Sequence, residues 1–198
     1  GQVRISSQNT RDRVLSTINH EQFESGTPNF LDIVSLDTGL TALRAIGMDA
    51  VERHVAALRS HLYKLLSSLK HSNGNRVCEI YGRHHENDSK RQGGVISFNV
   101  INPDGSYVFY EDVILAAREF KIHLRGGVAC NPGSAYAAAG VTSAEVLDAY
   151  KDASCLSAVV IRGHHIGAVR ASLGYPTTFK DCCCLLYTSP SPRDYCAH

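Results

Sequence analysis

Cys130 is the residue whose type and surroundings are best suited to covalent chemistry. It lies in the stretch Ile122–Gly133, which predicts a short apolar strand followed by a loop rich in glycine and proline. Arg125 precedes it by five residues. A nearby cation favours the thiolate, which is the nucleophilic form of an accessible cysteine. The alternative is that Cys130 is a small apolar residue of the interior, as free cysteines commonly are.

Arg170 is a second candidate for a functional residue. Residues 168–174 alternate between the two faces of a predicted strand, and Arg170 occupies one of the alternate positions. Its planar guanidinium could bind a carboxylate through two hydrogen bonds. A cation at this position could equally mark a strand at the edge of a sheet. The alternation alone favours the edge interpretation.

The segment Ser25–Pro28 is a third candidate. Thr27 is a good N-cap and Pro28 fits the first helical position, so the segment predicts the start of a helix. A helix N-terminus with a hydroxyl can also bind a phosphate. The helix start alone is the more common case.

Two histidine pairs, His84–His85 and His164–His165, do not predict a metal site. Adjacent side chains diverge, and no second cluster stands at the spacing that metal ligands need. We therefore expect the polar run from 84 to 92 to be a solvated loop, and no metal to be bound.

Hydrophobic periodicity predicts the elements that position these residues. Residues 1–20 are polar and weakly periodic, and we expect a loop or a frayed segment there. Helices are predicted up to about residue 46 and over 48–70, 110–120 and about 142–153, and strands over 76–81, 94–101, the residues before Cys130, and 168–174. This order is that of a small α/β unit.

Composition excludes several classes of protein. A net charge of +1 gives no reason to expect nucleic acid or an anionic membrane surface as a partner, and no apolar run has the length of a membrane span. The seven cysteines are odd in number and are not spaced as a disulfide framework, so we expect reduced thiols in the cytoplasm. Gly1 stands where an initiator methionine would be, which predicts a fragment of a longer protein.

Three motifs stand in a characteristic order. They are Phe-Glu-Ser-Gly-Thr-Pro-Asn-Phe-Leu-Asp at 23–32, His-Leu-Arg-Gly-Gly-Val-Ala-Cys-Asn-Pro-Gly at 123–133, and Gly-Ala-Val-Arg-Ala-Ser-Leu-Gly-Tyr at 167–175. Together, from about residue 20 to about 181, they resemble the C-terminal part of the class V aminotransferase-like domain of the molybdenum cofactor sulfurases. The Cys-Asn-Pro-Gly loop resembles that branch rather than the general cysteine desulfurases.

The resemblance implies a fold and an activity. The fold would be α/β, the small C-terminal domain of a fold type I transferase that depends on pyridoxal phosphate, preceded by helices from the edge of the large domain. The parent enzyme would take sulfur from L-cysteine, leave L-alanine, and deliver the sulfur to the molybdenum cofactor. A homodimer is implied for the full-length protein.

The resemblance also assigns residues. Cys130 matches the cysteine that carries the sulfur as a persulfide, and a mobile loop would suit that transfer. Arg170 matches the arginine that holds the substrate carboxylate. Gly26 and Thr27 match the loop that contacts the cofactor phosphate.

The sequence departs from the family pattern at two places. The family's cofactor lysine follows a histidine, and no His-Lys pair occurs in this chain, so we expect this chain alone to be inactive. From residue 182 the sequence resembles adapter or out-of-frame translation, and we expect a disordered, artefactual tail over 182–198. The expected layout is then a remnant of the large domain at 1–47 and the small domain with its linking helix at 48–181.

Two alternatives remain open at this point. The parent could be another class V member, such as a cysteine desulfurase for iron–sulfur assembly or an epimerase-like relative. The chain could instead be a truncated product without catalytic function.

Overall fold

The computed structural model describes residues 3–6, 13–15, 17–23, 26–128, 131–149, 160–161 and 164–186. The chain divides into two compact units, Gly1–Met48 and Asp49–His198. Each unit is described by itself.

The first unit begins with two short strands, β1 (Val3–Ser6) and β2 (Arg13–Leu15), which pair antiparallel. A short helix, α1 (Asn19–Phe23), follows. The expectation of a loop over residues 1–20 is therefore wrong where these elements lie. The sequence Val-Arg-Ile-Ser alternates as a strand does, and pairing with a second strand satisfies the backbone groups that a lone strand would leave free.

The long helix of the first unit is α2 (Phe30–Ile46). Its N-cap is Asn29 rather than the predicted Thr27, because the Asn29 Oδ1 accepts a hydrogen bond from the backbone N–H of Asp32 at 3.3 Å. Asparagine caps helices at least as well as threonine, so the two candidate caps differ little in free energy. None of the residues of α2 is buried.

The second unit is a layered α/β structure, and its helix α3 starts at the boundary residue Met48. In chain order its elements are α3 (Met48–Ser68), β3 (Cys78–Tyr81), β4 (Val95–Val100), α4 (Tyr110–Glu119), β5 (Arg125–Gly127), α5 (Pro132–Ala138), α6 (Ser143–Ala149), β6 (Val160–Ile161), β7 (His164–His165), β8 (Ala168–Ser172) and α7 (Phe179–Leu186). Four strands form one antiparallel sheet in the order β3-β4-β8-β5, while β6 and β7 pair separately.

The core of the second unit forms on one face of this sheet. Apolar side chains of α3, α4 and α7 pack there against alternate residues of the strands, which buries them away from water. The buried members are Leu58, Leu62, Leu66, Leu69, Val77, Cys78, Ile96, Phe98, Val100, Val113, Val169, Ala171, Cys182, Leu185 and Leu186. The helix predicted over 48–70 thus supplies part of the core through its apolar side chains.

Helix α7 corrects the prediction of disorder from residue 182. Residues 182–186 are helical, and Cys182, Leu185 and Leu186 are buried in the core. Pro190 and Pro192 would end a helix, but they stand after the end of α7 and so do not interrupt it. The rest of the predicted tail, including Tyr187, lies outside the described residues.

The polar run from 84 to 92 is tied to the core rather than solvated throughout. Arg59 of α3 is buried, and its guanidinium donates to the backbone oxygen of Gln92 and, at 3.3 Å, to the Oδ1 of Asn87. His84, in a 3-10 turn (His84–Glu86), is also buried. His84, which was expected in a solvated loop, is therefore internal, as is Arg59, which holds the run from α3.

Candidate active site

The sheet of the second unit has one apolar face and one polar face. Successive residues of a strand point to opposite faces, so Ile96, Phe98 and Val169 enter the core while their neighbours Ser97 and Arg170 point away from it. The strands thereby present a set of polar side chains on the side opposite the core. These are Glu79, Tyr81, Ser97, Asn99 and Arg170.

A cavity of about 620 Å³ lies over this polar face. Its volume is in the range of small-molecule sites. Helix α5 also lines the cavity. The lining residues that follow β5 in the chain are Val128, just after the strand, and Ser134, Ala135, Ala138 and Ala139, in α5 and at its end. The stretch expected to be a loop after Cys130 therefore becomes a helix, which begins at Pro132 and is capped by Asn131. Pro132 starts this helix rather than marking a loop, because proline is favoured in the first turn of a helix.

Glu79 is the centre of a hydrogen-bonded cluster in this cavity. Its Oε2 accepts from the Tyr81 hydroxyl at 3.3 Å and from the Tyr107 hydroxyl. Its Oε1 accepts from the Arg76 guanidinium at 2.9 Å. Both carboxylate oxygens of Glu79 are therefore already engaged within the protein.

Asn99 extends the cluster across the sheet. Its Nδ2 donates to the Tyr81 hydroxyl and to the backbone oxygen of Gly167, each at 3.1 Å. Gly167 has a φ of +131°, and a Cβ on it would lie 2.8 Å from the Cα of Gly127. Only glycine fits this position, so the turn before β8 and the end of β5 can approach closely.

The two tyrosines of the cluster are held in the neutral form. Burial and the negative charge of Glu79 raise the pKa of Tyr81 well above its usual value, although the hydrogen bond from Asn99 acts in the opposite direction. Burial and the hydrogen bond to Glu79 raise the pKa of Tyr107 to about 12. Near neutral pH both hydroxyls are therefore protonated and donate to the carboxylate.

Arg170 stands at the centre of the sheet. Because β8 lies between β4 and β5, the interpretation of Arg170 as an edge charge is wrong. The side chain lines the cavity, and its Nε is buried without a hydrogen-bond partner in the part of the chain that is described. A buried donor without an acceptor is costly, so the Arg170 Nε is available to an acceptor that the described residues do not supply.

Comparison with known proteins gives the family. Residues 4–185 match the family model "Aminotransferase class-V". The chain belongs to the class V aminotransferase family. The predicted resemblance is confirmed at this level.

Curated relatives within the class V family carry the name molybdenum cofactor sulfurase. The chain is 36% identical over 174 residues to that of Oryza sativa subsp. japonica, covering 86% of this chain and 21% of the relative. It is 37% identical over 166 residues to that of Bos taurus, covering 81% of this chain and 19% of the relative. The chain thus spans about a fifth of the length of these relatives.

Solved structures share the fold. A cysteine desulfurase from Thermococcus onnurineus matches 94% of this chain and 36% of its own, with a TM-score of 0.59 and 22% identity. A cysteine desulfurase from Escherichia coli matches 94% of this chain and 35% of its own, with a TM-score of 0.56 and 17% identity. The α/β fold predicted from the class V motifs is confirmed.

Of the predicted site residues, Cys130 lies outside the described residues. The residues that flank it are described: the backbone N–H of Asn131 donates to the oxygen of Val128 at 2.9 Å, and Asn131 caps α5. Val128 itself lines the cavity that contains Arg170. The role of Cys130 as the sulfur carrier of a class V enzyme stays a prediction.

Gly26 and Thr27 lie in the first unit and are exposed. Gly26 has a φ of +80°, and no atom lies within 4 Å of a Cβ built on it. Pro28 separates the two residues from Asn29, the N-cap of α2. Their role in binding a class V cofactor also stays a prediction.

Sequence reasoning missed the cluster of Glu79, Tyr81, Asn99 and Tyr107. A signal was present in β3, since Glu79 and Tyr81 alternate there with Cys78 and Ile80. It predicted a polar face without showing what covers it. Tyr107 lies outside any strand or helix, so no periodicity indicated it.

Within the described ranges, no helix combines the length and apolar character needed to cross a membrane. Among those same residues, no three histidine, cysteine, aspartate or glutamate side chains are grouped so that they could hold a metal ion.

Proposed function

We propose that this chain is part of a sulfurtransferase of the molybdenum cofactor sulfurase type. The parent would take sulfur from L-cysteine and pass it, through a cysteine persulfide, to the molybdenum cofactor. The observation that carries the proposal is Arg170, whose buried Nε has no partner among the described residues although it lines a cavity of small-molecule size. The sulfurase relatives at about 35% identity support this branch of the family.

In this proposal Arg170 binds the carboxylate of L-cysteine. A guanidinium can grip both oxygens, which fixes the orientation of the substrate as well as its position. The central place of Arg170 in the sheet favours this role, because a central strand is held on both sides and moves little.

Cys130 would receive the sulfur. Its thiolate attacks the sulfur of the substrate, the substrate's carbon–sulfur bond breaks, and L-alanine leaves once its β-carbon has taken up a proton. Cys130 is left as the persulfide, whose outer sulfur is the one passed on. The neighbouring cation Arg125 would favour the thiolate over the thiol.

The segment Gly26–Thr27 fits a phosphate group. It has open space around Gly26, an exposed threonine, and a helix of 17 residues that begins three residues after Thr27, at Phe30. We propose that it contacts the phosphate of pyridoxal phosphate. That cofactor, when bound, would supply the electron sink for chemistry at the substrate's α-carbon. Because this chain has no His-Lys pair, we expect turnover only in the full-length protein, as a homodimer.

The test uses the full-length protein supplied with pyridoxal phosphate and L-cysteine. Cys130→Ala should abolish the persulfide, which mass spectrometry of the protein detects, and sulfuration of the molybdenum cofactor should fall by more than about 100-fold. Cys184→Ser, which changes a half-exposed thiol of α7, is the matched control and should leave both unchanged.

The acceptor decides between the branches of the family. Sulfuration of the molybdenum cofactor supports the sulfurase. Efficient transfer of sulfur to an iron–sulfur scaffold, with none to the molybdenum cofactor, would instead assign the protein to the cysteine desulfurases. If Cys130→Ala still formed both the persulfide and the product, Cys130 would have no role in the mechanism.

A further inference from the structure

Two arginines stand directly opposite each other on the polar face of the sheet. Arg125 of β5 and Arg170 of β8 are paired residues of the antiparallel ladder. Directly opposed residues point to the same face, with Cβ atoms about 4.5–5.5 Å apart, and like charges in this position destabilise a sheet. The position thus concentrates positive charge beside the cavity.

No acidic group of the described chain compensates this charge. Neither Arg125 nor Arg170 takes part in an ion pair within the described ranges. Glu79 is the acidic residue among those lining the cavity, and its two oxygens are occupied by Arg76, Tyr81 and Tyr107. It also lies on β3, two strands away from Arg170.

The two arginines differ in exposure. Arg170 is half-buried, with its Nε buried and without a partner, whereas Arg125 is exposed on the edge strand β5. An anion that enters the cavity over Arg170 would therefore meet Arg125 on the solvent side. This would satisfy the unpaired Nε and remove the repulsion between the two cations in one step.

We propose that Arg125 is a second binding residue for the carboxylate, so that the site is a clamp of two arginines. The ligand class is a free α-amino acid, whose carboxylate contacts both guanidinium groups. This inference rests on the proposed function for the role of Arg170, and it adds Arg125, which the proposed function uses only as a neighbour of Cys130.

The test measures binding rather than activity. The 198-residue chain, with ¹⁵N-labelled arginine, is titrated with L-alanine, and the Nε–H signal of Arg170 is followed by NMR at constant ionic strength. L-Alaninamide, which lacks the carboxylate, is the ligand control. The variants are Arg125→Gln, Arg125→Lys and Arg170→Gln, with Arg118→Gln as the control for loss of one exposed positive charge outside the sheet.

We expect L-alanine, but not L-alaninamide, to shift the Arg170 signal. Arg125→Gln should weaken L-alanine binding by about 3- to 10-fold, which is the range for one charge-assisted hydrogen bond at a partly exposed site. Arg125→Lys should recover part of the loss. Without ligand, Arg125→Gln should raise the melting temperature by about 1–3 °C, because it removes a like-charge pair.

Two results would overturn the inference. One is an L-alanine affinity that Arg125→Gln leaves unchanged. The other is an equal loss in Arg118→Gln, which would mean a general effect of net charge. Failure of the proposed function is a separate result. If the full-length protein transferred no sulfur while L-alanine binding still depended on both arginines, the clamp would stand and the proposed function would fall. Unchanged binding in Arg170→Gln would remove the carboxylate role from both proposals.

Discussion

The two faces of the four-stranded sheet are made by the same strands but have opposite properties. On one face Ile96, Phe98 and Val169 pack into an apolar core under three helices. On the other, Asn99 and its polar neighbours border a cavity of about 620 Å³. One residue step along a strand therefore separates a position that stabilises the fold from one that is available for chemistry.

The largest effect on stability should come from the apolar face. Ile96 is fully buried, and Ile96→Ala should lower the free energy of unfolding by about 2–5 kcal/mol through lost burial and a cavity. Its neighbour Ser97 points to the cavity, and Ser97→Ala should change stability by less than about 0.5 kcal/mol. Urea unfolding of the two variants measures the difference. Equal losses would break the comparison between the faces.

The next effect separates binding from folding at adjacent residues of β8. Arg170→Met should weaken substrate or L-alanine binding by about 10- to 100-fold, while stability changes by less than about 1 kcal/mol. Val169→Ala should do the reverse, with a loss of about 1–3 kcal/mol in stability and unchanged affinity, because Val169 is fully buried in the core. Titration and urea unfolding on both variants check this. If Arg170→Met failed to fold, the main role of Arg170 would be to stabilise the fold rather than to bind a ligand.

A smaller effect should come from the tyrosine cluster of the polar face. Tyr107→Phe removes a hydroxyl that donates to Glu79 and should cost about 1 kcal/mol. The folded state raises the pKa of Tyr107 to about 12, from an ordinary value near 10. The contribution of this group is therefore complete below about pH 10 and is lost as the pH rises through about 12.

Urea unfolding at pH 7 and at several values above pH 9 tests the sign. The wild type should lose stability more steeply with rising pH than Tyr107→Phe does. Tyr81, whose pKa is also raised, should leave some pH dependence in the variant. A variant that loses stability more steeply than the wild type would contradict the assigned hydrogen bond.

The smallest effect should come from the cap of α7, the helix that closes the core face. Asp181 accepts hydrogen bonds from the Thr178 backbone N–H and hydroxyl at 2.7 and 2.8 Å, and these bonds lower its pKa. Asp181→Asn should destabilise by less than about 1 kcal/mol near neutral pH. Because the folded pKa is lowered, this contribution is present above the unfolded value near 3.9 and is lost as the pH falls through the folded value.

The control for Asp181 is Asp37→Asn, a change at an exposed position of α2. Thermal unfolding should show a larger gap between Asp181→Asn and the wild type at pH 7 than at pH 2.5. A gap of the same size at both values would mean that the carboxylate charge does not stabilise the cap.

The local elements could be read from the sequence where a pattern repeats within a few residues. The apolar stripe of α3 and the alternation of β3, β4 and β8 predicted these elements closely, since 3.6- and 2-residue periods follow from backbone geometry. Prediction was weaker at ends and short elements. Thr27 and Asn29 are caps of similar quality, and α5 and α7 are helices of seven and eight residues whose stability comes from packing.

By itself the sequence determined the family and the residue types that could do chemistry, because the motifs around Gly26, Cys130 and Arg170 are local strings. Only the tertiary structure decided that β8 is central and that Arg170 faces Arg125 across the ladder. It also decided that Glu79 is already satisfied by Tyr81 and Tyr107. The physical reason is that strand order and side-chain partners join residues far apart in the chain, and no periodicity within one segment encodes which distant segment it will meet.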